Sequence, residues 1–270
     1  MPAPQAPGGA LRDGASRMGG RTMASAAPFI ADIRGALWGS RPRVLFTVWL
    51  SLVALIVLVW LAGPKANDRT VALSTIVCGL FTVGLWCSRD RLARAIARWG
   101  ASPRAKFVLI GSLGAAWVET VFWALEKVLH AEGVAASPNL AIDLLVTMPW
   151  YVLMVALLYR VEVTHRYSLY EVLLLGGVYE LGADGIVGPF VGGALSIVSM
   201  PIVVLLIPMF VVVYSFMVLP PTVLLREEIG RLREGKGTGP VPGPSRYAYA
   251  LLPLLGLVPY VVLGLITLLP

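Results

Sequence analysis

The sequence predicts an all-α fold: a polytopic helical bundle of about seven membrane spans, with its N-terminus in the cytoplasm and its C-terminus outside. Three observations predict it. Of 270 residues, 57% are hydrophobic and only 14% charged, whereas soluble domains run near half and a quarter. The charges cluster in short stretches between long apolar blocks instead of mixing along amphipathic elements. The basic residues also alternate between connections, so that they fall on every second one.

The elements follow in order. Residues 1–26 are rich in Ala, Gly, Pro and Arg, lack the apolar run of a signal peptide, and read as disordered. Met18 and Met23 offer alternative starts, which sets residues 1–22 apart from the fold. In the stretch 27–43, Pro28 suits a first helical turn and Phe29, Ile30, Ile33 and Leu37 share one face. An interfacial amphipathic helix with a short linker is expected there. The membrane bundle occupies 44–270. Its seven apolar blocks cover about 44–61, 70–87, 107–127, 139–159, 168–187, 197–225 and 247–269. The sixth is too long for one straight span and holds Pro201, Pro208, Pro220 and Pro221, so a kinked or re-entrant segment is expected.

All but three of the 22 Lys and Arg residues fall on one set of alternate connections; the exceptions are Lys65, Arg69 and Lys127. By the positive-inside rule the basic set faces the cytoplasm, and the localisation expected is the cell membrane. Within that set, Ser88–Gly100 reads as a separate basic helix capped by Ser88, with Leu92, Ile96 and Trp99 on one face. Arg91, Arg94 and Arg98 on the other face are expected to meet anionic lipid headgroups. The basic charge therefore serves orientation, and no nucleic-acid partner is expected. Cys78 and Cys87 lie about 13 Å apart along one helix, too far for a disulfide.

The functional clue is a set of carboxylates within the spans. A charge in hydrocarbon costs roughly 2.5–3.5 kcal/mol by insertion scales, so such groups face a cavity or a partner. Glu119 lies twelve residues into the third span, past the midplane. Glu126 continues its face, with solvation beside Lys127 as the plainer reading. Glu180 and Asp184 stand four apart on the fifth span and share a face. Asp143 sits in the first turn of the fourth span, where the helix dipole by itself favours a carboxylate. Glu171 completes the capping box Ser168-Leu-Tyr-Glu171 and is assigned a structural role. Spans three to five are consecutive and expected to be neighbours. They carry no interior Lys or Arg, so an acidic cavity opening outwards is expected.

Two further patterns bear on the bundle. Gly111 precedes Glu119 by eight residues and Gly176 precedes Asp184 by eight; Met148-Pro149 and Met200-Pro201 fall on the spans that follow. This hints at a parallel internal repeat. Gly185–Ala194 is an uncharged glycine-rich stretch, read either as a re-entrant gate or as an outer loop. Glu227-Glu228 is similar to the paired glutamates of CAAX-processing intramembrane proteases, but that family also uses later histidines, and none follows His165. No cofactor or metal motif is identified.

Three functions fit these residues. The first is a proton- or cation-coupled carrier, or a cation-binding membrane protein, with Glu119 and Glu180 at the midplane and Asp184, Asp143 and Glu126 outside them. The second is an intramembrane enzyme acting on a lipid or isoprenoid. The third is an assembly or scaffold subunit whose carboxylates meet cations of a membrane-protein partner or of a second copy.

Overall fold

The computed structural model describes residues 41–187, 206–235 and 245–262. The expected disordered segment 1–26, most of the interfacial helix and linker, residues 188–194 of the glycine-rich stretch, Met200-Pro201 and the end of the seventh span lie outside them. The helices are α1 (Arg41–Ala62), α2 (Ala66–Ala97), α3 (Pro103–Leu129), α4 (Leu140–Thr164) and α5 (Leu169–Glu180), the last followed by a π-helical segment, Leu181–Val187. After 188–205 come α6 (Ile207–Val213), α7 (Ser215–Leu224), α8 (Arg226–Gly235) and α9 (Ser245–Ala250). A 3-10 turn, Leu252–Leu257, leads into the helical residues 258–262. No strand occurs among the described residues.

The chain is an all-helical membrane protein. Among the described residues five helices are long and apolar enough to cross a bilayer: α1 from Val44, α2, α3, α4 and the run Ser245–Val262. The pair α6 and α7 makes a sixth if counted as one span, bent by 54°. The expected fifth span behaves differently. It is a 12-residue α-helix plus a seven-residue π segment, and the α-helical part covers only about 18 Å.

The separate basic helix expected from Ser88 is replaced by continuation of α2, a single helix of 32 residues. At 1.5 Å per residue it is about 48 Å long, well beyond a ~30 Å hydrocarbon core. Ser88 caps nothing. Its hydroxyl donates back to the Gly84 carbonyl at 2.8 Å, as mid-helix serines do. No glycine or proline interrupts the run from Trp86 to Ala97, so nothing breaks the backbone ladder where the apolar block ends.

The bent pair is the centre of the bundle. α7 packs on α2, α3 and α5, and α6 packs on α5 and α2. The sixth block is kinked, as expected, but the break falls at Tyr214 and not at a proline. Pro220 and Pro221 act differently: lacking N–H groups, they leave the Phe216 and Met217 carbonyls without the amide four residues on. Two glycines of α3 meet those carbonyls. A Cβ on Gly114 would collide with the Phe216 oxygen, and one on Gly111 would lie 3.3 Å from the Met217 oxygen. From the other side, a Cβ on Gly177 would lie 3.0 Å from the Val211 backbone nitrogen, and one on Gly176 would lie 2.9 Å from a Val218 methyl. Small residues on α3 and α5 thus clamp the bent pair between them, the packing mode available where lipid removes any hydrophobic drive between helices.

The two ends of the bundle differ in charge. At one end Lys106 of α3 pairs with Glu228 of α8 at 2.8 Å, and Arg233 of α8 approaches Glu162 of α4 at 3.6 Å. The capping box at Ser168 forms as expected. Its Glu171 also meets Arg246 and accepts from the Tyr247 hydroxyl at 2.8 Å. At the other end Asn67 donates to the Glu132 carbonyl at 2.8 Å. Gly114→Ala is expected to destabilise the purified protein by about 1–3 kcal/mol, because backbone cannot give way to the added methyl. Gly84→Ala, with nothing within 4 Å of the new methyl, should leave the thermal unfolding temperature unchanged or raised.

Candidate functional site

Four side chains make a chain of hydrogen bonds through the bundle interior. The Tyr151 hydroxyl donates to Glu119 Oε1 at 2.6 Å. It also lies 3.4 Å from the Tyr214 hydroxyl, a long contact. The Tyr214 hydroxyl donates to Asp184 Oδ2 at 2.8 Å. Glu119 and Asp184 are therefore three hydrogen-bond lengths apart, joined by two phenols whose ring centres are 6.1 Å from each other. α3 supplies Glu119, α4 Tyr151, the π segment Asp184 and the break of the bent pair Tyr214.

Glu180 lies beside these groups but is bonded to none of them. It is fully buried, and neither carboxylate oxygen has a hydrogen-bond partner among the described residues. Its charge and those of Glu119 and Asp184 act on one another, and the Tyr151 hydroxyl is near. Glu119 is buried as well, while Asp184 is exposed. The set therefore runs from an open carboxylate to two enclosed ones.

The two outer candidates hold the loop between α3 and α4. Glu126 is buried, and its Oε2 accepts from the Val134 and Ala135 amides, both at 2.7 Å; Lys127 lies 3.6 Å away. The structure gives Glu126 a loop-organising contact instead of the solvated position read as its plainer alternative. Asp143 is fully buried. Its Oδ1 accepts from the Ser137 amide at 3.1 Å and its Oδ2 has no partner. Asn139, not Asp143, caps α4, accepting from the Ala141 and Ile142 amides. Asp143 still lies within electrostatic reach of Glu119 and Asp184.

The expectation that spans three, four and five pack directly on one another holds only for the first pair. α3 packs on α4, while α5 makes its main contacts with α6 and α7. The carboxylates meet because the bent pair lies between α3 and α5, and Tyr214 is its contribution.

The pattern behind the suspected repeat reappears in space. Gly111 faces Val155, where a Cβ would lie 2.6 Å from the Val155 Cγ1; Gly176 faces Val218. Val155 follows Tyr151 by four residues, and Val218 follows Tyr214 by four. Each half thus presents a glycine and, eight residues on, an acid, opposite a tyrosine and, four residues on, a valine. The acids bond the tyrosines of their own half, and the two tyrosines meet between the halves. Glu180 breaks the correspondence: the matching position in the first half is Ala115.

Among the described residues no three His, Cys, Asp or Glu side chains come close enough together to share a metal ion. Two participants were not singled out from the sequence as site residues. Tyr151 stands in the sequence near Trp117, Trp123 and Trp150, aromatics of the kind that membrane interfaces commonly carry. Tyr214 sat in an apolar block as one aromatic among many; its signal, visible afterwards, is a spacing from Asp184 close to that of Tyr151 from Glu119. Glu162 was also passed over, because α4 runs five residues beyond its apolar block. It is buried, Arg233 Nε donates to its carbonyl at 2.9 Å, and its Oε1 has no partner. A cavity of about 20 Å³ beside it, lined also by Arg166 and Arg226, has room for one water.

Glu126→Ala is expected to cost about 1–3 kcal/mol of stability by stranding two amides, read as a lower unfolding temperature. Glu126→Gln, which keeps an acceptor, should lose less. Compared with known protein families, curated proteins and solved structures, the chain matches none.

Proposed function

We propose that the chain is a proton-coupled carrier of the cell membrane, crossing the bilayer seven times with its N-terminus in the cytoplasm and its C-terminus outside. The topology rests on the alternation of basic connections. It is supported by the gathering of the C-terminal end of α2, the start of α3, the end of α4, the start of α5 and all of α8 at one basic end of the bundle. On this reading α5 and the π segment together form the fifth span.

The single observation that carries the functional reading is Glu180, buried, with neither oxygen hydrogen-bonded and no cation paired to it among the described residues. An ionised carboxylate so placed would cost several kcal/mol. Carrying a proton removes the charge. The proton is then the natural cargo of the whole set. With no trio of metal ligands among the described residues, the proton is a better ligand than a divalent ion. Burial of Glu119 and Glu180 within the chain also weighs against pairing with a partner's cations.

The tyrosines link the carboxylates chemically. When Glu119 is protonated and Asp184 is not, Glu119 gives its proton to the Tyr151 oxygen. Tyr151 passes its own to Tyr214, and Tyr214 passes its own to Asp184. Each phenol ends as it began, with its O–H reversed, and one proton has moved between the two halves. Asp184 is the exposed end at which protons enter and leave.

Infrared spectroscopy of the purified full chain tests this. A protonated-carboxyl C=O band is expected near neutral pH, lost in Glu180→Gln, with smaller spectral changes in Glu119→Gln and Asp184→Asn. A wild-type spectrum without such a band, or a band untouched by all three changes, would end the proposal. Exchange of the Glu119 carboxyl proton with D₂O should slow by roughly tenfold or more in Tyr214→Phe while the Glu180 band remains.

A further inference from the structure

A second feature of the bundle is independent of the carboxylates. Beyond the apolar stretch of α2, a groove of about 590 Å³ lies between it, α7 and α8, a volume typical of small-molecule sites. The groove has two kinds of wall. Trp86, Leu169, Val223 and Leu224 form an apolar side. Arg94 of α2 and Arg226 and Arg231 of α8 stand on the polar side, with Arg89 beside Trp86.

The charges there are not equally committed. Glu228 is neutralised by Lys106 at 2.8 Å, and Asp90 lies 3.8 Å from Arg89. Arg89 is also held by the Trp86 carbonyl at 2.9 Å and by its ring face. Arg94 and Arg231 use only Nε, towards backbone carbonyls of their own helices, leaving their outer nitrogens for a ligand. Arg226 is exposed, with no hydrogen bond or ion pair among the described residues, though Glu162 lies within its electrostatic reach. Glu227 is the one acid of the lining without a cationic side chain paired to it there. The groove therefore offers guanidinium donors from two helices above an apolar floor.

We propose that this groove binds the phosphate headgroup of an anionic phospholipid of the leaflet at the basic end of the bundle. The guanidiniums of Arg94, Arg226 and Arg231 engage the phosphate, and the first acyl carbons lie on Trp86, Leu169 and Val223. Guanidinium forks match phosphate oxygens in geometry as well as in charge. The apolar wall selects a lipid over a free phosphate, which would leave that wall wet. The site differs from the diffuse surface expected of Arg91, Arg94 and Arg98: Arg91 and Arg98 do not line it. Bound there, a lipid ties the overhanging end of α2 to α8.

Retention of phosphatidylglycerol against phosphatidylcholine, read by native mass spectrometry of the full chain in detergent, tests this. Wild-type protein should hold phosphatidylglycerol selectively, and Arg226→Gln with Arg231→Gln should weaken that retention roughly tenfold. Glu227→Gln should strengthen it, a gain that loss of folding cannot imitate. Two results would overturn the groove: an equal loss in Arg91→Gln with Arg98→Gln, which assigns binding to the general basic surface, or no change in Glu227→Gln. Displacement of the lipid by soluble glycerophosphate at equal concentration would overturn the lipid as ligand in favour of a free phosphate. None of these outcomes bears on the protonation of Glu180.

Discussion

The bundle is organised by one electrostatic constraint: among the described residues, the carboxylates around Glu119, Glu180 and Asp184 have no cation paired to them. Within the apolar blocks of α3, α4 and α5 every ionisable interior group of note is acidic, and each must find a donor or give up its charge. Glu126 finds two backbone amides, Asp143 finds one, and Glu119 and Asp184 find tyrosine hydroxyls. Glu180 finds none. The same need recurs at the basic end with the opposite solution. There Glu162, Glu171 and Glu228 are met by arginine or lysine, because that end carries the cations.

The backbone that satisfies this constraint is irregular where the acids are. Asp184 sits in a π-helical turn, Tyr214 at a 54° break, and Pro220 and Pro221 interrupt the ladder of α7. Irregular backbone at membrane depth survives only inside protein, where freed carbonyls can be covered. The glycines of α3 and α5 provide that cover by letting their own backbones approach. Irregular geometry, close packing and the hydrogen-bonded chain are thus consequences of one another. The glycine clamp fixes the bent pair, the bent pair aims Tyr214, and Tyr214 joins the two acidic halves.

The two halves are alike in pattern but unequal in form. The α3–α4 half is regular helix, and its acid is buried. The half made of α5, the π segment and the bent pair is broken, exposes its acid and adds Glu180 where the other has Ala115. The two acids of the pattern therefore stand in different environments, one enclosed and one open.

Much of this was legible in the chain itself. Apolar length and clustered charge determine helices that belong in a bilayer, because backbone groups there must be satisfied within the segment. Capping chemistry is local, so the box at Ser168 and Glu171 could be read directly, and a lone charge in an apolar run identifies Glu119, Glu180 and Asp184 without any partner in view. Other features depend on contacts between distant segments, and only the tertiary structure decided them. The amphipathic stretch after Ser88 continues α2, because nothing in it ends a helix. Glu126 and Asp143 serve the loop whose amides they reach. Tyr214 joins the site because a bend thirty residues from Asp184 is pressed between two glycine faces. A charge reports its cost from the sequence alone, whereas the group that relieves that cost is chosen by packing.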